Sequence, residues 1–110
     1  MNGTLKNQIE KTLALVFSDF RNKSEAFEFF KDFLTEKELE TLAKRLSVAY
    51  WLSKKRSYEN IKTNLKVSSA TIAKVQIDMK KKGFKNAIKK LDADEWAEKW
   101  SEKIKKLTGK

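Results

Sequence analysis

The stretch SYENIKTNLKVSSATIAKV, residues 57–75, decides the fold. Ser57 is placed to cap a short helix whose Ile61 and Leu65 fall on one face. Lys66-Val67 leaves room only for a tight turn, with Val67 directed into the angle between helices. Ser68 caps a second helix in which Ile72, Val75 and Met79 recur at three- and four-residue steps. Two short helices, a turn of three or four residues and a Ser cap spell a helix-turn-helix over about 57–82. The second helix of such a motif lies in the DNA major groove with its N-terminal residues toward base edges. An ordinary helical hairpin in a core shows the same apolar spacing, but its outward residues need not be small. Here Ser69, Ala70, Thr71 and Lys74 are small or polar, which allows close approach to bases, and Ser68 starts the helix. The turn position often held by glycine is Lys66; a left-handed backbone there costs a non-glycine residue on the order of 1 kcal/mol.

The same region holds the whole net charge. Residues 54–91 carry twelve Lys/Arg against Glu59 and Asp78, which equals the formal +10 of the 110-residue chain. The segments on either side are each neutral. A concentrated positive block suits a phosphate backbone, because neutralising phosphates releases condensed counterions whatever the base sequence. Lys54, Lys55, Arg56, Ser57, Lys62, Lys66, Lys80, Lys81 and Lys82 are the candidates for phosphates. A merely solvated Lys-rich face is the plainer reading, and the motif inside the block favours DNA.

Composition excludes much else. Histidine and cysteine are absent, which removes disulfides, most zinc sites and the usual nucleophile pairs; neither a cofactor nor a metal is expected, and no catalysis. No apolar run approaches the roughly 18 residues of a membrane span, and the N-terminus does not open a signal peptide, so a cytoplasmic protein is expected. With no proline and only three glycines, nothing interrupts helices; the class is all-α, one domain over 1–110.

Working outward, Ile9, Leu13, Val16, Phe17 and Phe20 predict a first helix over about 4–22. Ser24 is the expected cap of a short helix holding Phe27, Phe29, Phe30 and Phe33, too aromatic on too many sides to stay bare. Thr35 and Glu38 form a capping box ahead of a helix ending near Lys54. On the other side, Gly83 suits the C-cap of the reading helix. Asp92 begins an extra amphipathic helix over about 92–108, with Trp96, Trp100, Ile104 and Leu107 as its stripe and Lys103, Lys105 and Lys106 near its end.

From Phe29 to Leu91 the sequence resembles the Trp repressor superfamily, closest to its YerC/YecD branch. The stretches that carry this are FFKDFLTEKELETLAKRLSVAYWLS (29–53) and SYENIKTNLKVSSATIAKVQ (57–76). The resemblance implies an intertwined homodimer with a helix-turn-helix at each end, acting on double-stranded DNA as a transcription regulator or repressor. It also implies an effector pocket from Thr35, Arg45, Thr71 and Lys74. The tryptophan-responsive member uses a second Arg where Lys74 stands and a glycine where Val75 stands. Lysine lacks the planar guanidinium and valine adds bulk, so no tryptophan response is expected. The competing readings are a non-specific or architectural nucleic-acid binder, and a protein-interaction module built on the Phe and Trp surfaces.

Overall fold

Helices begin where a side chain is at hand to take their orphan N–H groups. The computed structural model describes the backbone of residues 1–108 and, past Trp96, the side chains of only Glu98 and Lys106. Among the described residues there are six α-helices and no strand: α1 (Gly3–Ser18), α2 (Lys23–Phe33), α3 (Glu36–Ser53), α4 (Tyr58–Leu65), α5 (Ser69–Asp78) and α6 (Lys82–Thr108). This is the expected all-α class. Asn2 Oδ1 accepts from Leu5 N–H at 2.8 Å and starts α1. The capping box at α3 is reciprocal: Thr35 Oγ1 accepts from Glu38 N–H at 3.1 Å, and Glu38 Oε1 accepts from Thr35 N–H at 2.9 Å.

Four boundaries differ from expectation. The first is the end of α1, at Ser18, short of the expected Asn22. Asn22, not Ser24, caps α2: its extended backbone (φ −158°) lets Oδ1 accept from Glu25 N–H at 2.9 Å, so Ser24 is already helical. Gly83 is not a left-handed cap but lies in the first turn of α6, where an added Cβ would meet nothing within 4 Å. The α5–α6 connection is closed by ordinary bonds, Lys81 N–H to Asp78 O at 2.9 Å and Lys85 N–H to Lys81 O at 3.1 Å. Asp92 does not start a helix; α6 runs through it without a break. Its carboxylate instead meets Lys54 Nζ at 2.6 Å. The expected stripe residues Trp100, Ile104 and Leu107, with Lys103 and Lys105, have side chains outside the described ones.

The chain divides into two units, Met1–Glu40 and Thr41–Lys110, the division falling within α3. In the first, five phenylalanines cluster: Phe17 lies 5.2 Å from Phe30, Phe20 lies 5.4 Å from Phe29, and Phe29 stacks on Phe33 at 4.8 Å. Yet neither α1 nor α2 has a buried residue. Ile9, Leu13, Val16 and Phe17, one stripe of α1, all remain exposed, as do Phe27 and Phe33.

The second unit has a closed core of Val48, Ala49, Ile61, Ile72 and Val75. Leu65, Val67, Met79, Phe84 and Ile88 pack around it. These come from α3, α4, the turn, α5 and α6, so the core itself sets how α4 and α5 meet. Tyr50 O–H donates to Glu95, and Lys54 Nζ lies 2.6 Å from Asp92 and 3.6 Å from Glu95, tying the end of α3 to the middle of α6.

Candidate nucleic-acid interface

The angle between α4 and α5 is fixed at both ends. At the turn, Lys66 is left-handed (φ 53°, ψ 53°), the position usually given to glycine. Val67 then points inward and packs on the core, as the spacing predicted. At the far side, Tyr58 O–H donates to Gln76 Oε1, joining α4 to α5. Inward, Ile61 and Ile72 are wholly buried and Val75 nearly so.

Ser57 and Ser68 both cap. Ser57 Oγ accepts from Asn60 N–H and Ser68 Oγ from Thr71 N–H, each at 3.1 Å. The Ser68 and Thr71 hydroxyls lie 3.0 Å apart. Ser69, Ala70, Thr71, Ala73, Lys74, Gln76 and Ile77 are the exposed residues of α5, Ile77 with 66% of its surface open.

The basic candidates differ in how free they are. Lys62, Lys66, Lys80 and Lys82 are exposed. Lys55 is left-handed (φ 65°) and exposed, just before Arg56. The Arg56 guanidinium lies 4.0 Å from the centre of the Trp51 ring and donates to Asn60 Oδ1 at 3.3 Å. Lys54 is committed to Asp92 and Glu95. Its hydrogen bond to Asp92 raises its pKa even though desolvation opposes the shift. Lys74 and Lys81 both reach Asp78 Oδ1, each at 3.3 Å.

Asp78 is the residue that sequence reading passed over. Desolvation alone would raise its carboxyl, but the hydrogen bonds from Lys81 and Lys74 outweigh it and hold the pKa below the usual carboxylate range. A signal was present: Asp78 is one of two acids in the basic block, four residues after Lys74 and three before Lys81.

A cleft of about 620 Å³ opens between α3, the turn and α5. Arg45, Thr71 and Lys74 line it, together with Lys44, Val75 and Asp78. Thr35, the fourth expected member, is occupied in capping α3. Val75 contributes its buried side chain, and the Lys74–Asp78 pair lies along the wall. Among the described residues no group of His, Cys, Asp and Glu is arranged to hold a metal ion, and no helix is long and apolar enough to cross a membrane.

The family model described as Trp repressor protein matches residues 8–92, more than three quarters of the chain. A curated relative, "Uncharacterized protein YerC" of Bacillus subtilis (strain 168), is 38% identical over 56 residues. That match covers 51% of this chain and 54% of the relative, so the chain spans about half the length of the curated protein it matches. No solved structure matches the chain.

Proposed function

The chain belongs to the Trp repressor family, and on that premise we propose that it is a sequence-specific, DNA-binding transcription regulator that works as a homodimer and does not respond to tryptophan. The observation that carries the reading is the α4–turn–α5 unit, with a reading helix held rigid by the core and its outer side left bare, inside a block that holds the net charge of the chain. Ser69, Ala70 and Lys74 face the groove, where they meet base edges. Lys55, Arg56, Lys62, Lys66, Lys80, Lys81 and Lys82 take phosphates, which set register without reading sequence. Ser57 and Ser68 contribute helix N-termini rather than free hydroxyls. Lys54 stands apart as a structural cation.

The exposed stripe of α1 and the Phe cluster of α2 support the dimer: a second copy gives these apolar faces the cover that one chain lacks. The bulk of Val75 and the Lys74–Asp78 pair in the cleft support independence from tryptophan. Such a protein acts in the bacterial cytoplasm, at the nucleoid.

The test is selection of bound duplexes from a random pool, followed by titration of the winning and scrambled duplexes over a range of salt. The expected product is an inverted repeat, because a two-fold dimer presents two equivalent helices. Enrichment of no sequence, with strong binding to every duplex, would transfer the protein to the architectural class. Absence of DNA binding altogether would leave the protein-interaction module.

A further inference from the structure

The outward face of α5 carries an unusual chemistry for a helix that reads DNA. Ala70 and Ile77 are seven residues apart, about two turns, and so nearly eclipse one another on the helix. Ala73 lies between them on the same exposed side. None of the three offers a hydrogen-bond donor or acceptor from its side chain. The neighbouring polar groups have partners within the chain. Gln76 Oε1 accepts from Tyr58, Lys74 Nζ is drawn to Asp78, and the Ser68 and Thr71 hydroxyls meet each other. Ile77, at 66% exposure, is the most open large apolar side chain of the second unit among the described residues. Beyond Ser69 at the helix start, what points outward is a row of methyl groups, flanked by Lys74 and Lys80 within the positive block.

That pairing of an apolar row with flanking cations fits one kind of surface. The cations call for a polyanion, and in the major groove thymine alone presents an apolar group, its 5-methyl. Ala70 to Ile77 spans about 10 Å along the axis at 1.5 Å per residue, close to three base-pair steps. We propose that Ala70, Ala73 and Ile77 read thymine 5-methyl groups, so that the half-site carries successive thymines beside the base edges met by Ser69 and Lys74. This rests on the DNA-binding reading above, and it makes Ile77 a determinant of specificity.

The experiment uses the full chain and the selected duplex. Each thymine of a half-site is replaced in turn by deoxyuridine, which removes the methyl and keeps every hydrogen bond. At two or three positions the affinity falls about fourfold per methyl, the scale expected for burying one such group. Ile77→Ala, an exposed substitution whose folding is checked by helical circular dichroism, binds the all-thymine duplex more weakly and no longer distinguishes uracil at the outermost of those positions. Unchanged affinity on every uracil duplex, or selected half-sites without thymine, overturns the proposal while leaving DNA binding intact. So does an Ile77→Ala variant that halves the mass of the assembly yet still discriminates uracil as wild type does, since Ile77 is then a protein contact. A wild-type chain that binds neither selected nor scrambled duplex overturns the DNA reading itself.

Discussion

Lys66 keeps a left-handed backbone without being glycine. The conformation costs an L side chain roughly 1–2 kcal/mol, while glycine in its place loses about 0.5–1 kcal/mol in chain freedom. Lys66→Gly is therefore expected to be at least as stable as wild type in urea unfolding, and Lys66→Val, branched at Cβ, to be less stable by more than about 1 kcal/mol. A less stable glycine variant would mean that the Lys66 side chain stabilises the turn. The strain was foreseeable from the motif, since the position is one where glycine is usual. Lys74 was legible only in part. Its place on the outward side follows from periodicity, but its tie to Asp78 depends on which rotamer wins. The pair is exposed at Lys74, so its worth is small. Lys74→Ala is expected to weaken the selected duplex more than scrambled DNA. Equal weakening of both would make Lys74 a phosphate contact.

At the scale of elements, the caps and apolar spacings made α3, α4 and α5 readable nearly to their ends. Glu38 answering Thr35, and Ser57 and Ser68 each answering an N–H three residues on, are local chemistry. The joining of residues 82–108 into one helix was not readable, because Asp92 is a good cap in isolation, whereas in the fold its carboxylate meets Lys54, 38 residues away in sequence. The clasp of Tyr50, Lys54, Asp92 and Glu95 carries a pH signature. The hydrogen bond with Glu95, then desolvation, raises the Tyr50 pKa; the hydrogen bond from Lys54 to Asp92 raises that of Lys54. Groups with raised folded-state pKa values stabilise fully below their unfolded values and lose that contribution as pH rises through the folded ones. The melting temperature is thus expected to fall as pH climbs past the ordinary lysine and tyrosine range. Tyr50→Phe with Lys54→Met should shrink that alkaline fall. An identical alkaline profile in the double variant would show that the clasp contributes nothing. Asp78 acts in the opposite direction: with a lowered pKa, its contribution is present at neutral pH and fades as pH falls through and below the usual carboxylate range.

For the whole molecule, charge and symmetry make the predictions. If roughly six phosphates are contacted, log K falls with log salt at a slope near −5. Replacing Lys80, Lys81 and Lys82 with Gln is expected to flatten that slope for selected and scrambled duplexes alike; an unchanged slope would place the phosphates elsewhere. The apolar stripe of α1 points to a second copy, so mass measurement at micromolar concentration is expected to give a dimer. Leu13→Glu, in the middle of that stripe, is expected to abolish the dimer and lower helicity. A wild-type monomer with full helicity would remove the shared-core reading. The sequence announced this unit by its excess of phenylalanine. A single chain leaves the cluster uncovered, because two helices can shield each other on one side only.

The Arg56 guanidinium resting on Trp51 has an optical consequence. An indole under a cation emits differently from one in water or against hydrocarbon, and Arg56 is one of the groups proposed to leave for a phosphate. With Trp96 and Trp100 changed to Phe, the remaining indole sits at the entrance of the helix-turn-helix. Its emission then reports occupancy of the duplex without any added dye, and the change reverses when salt is raised.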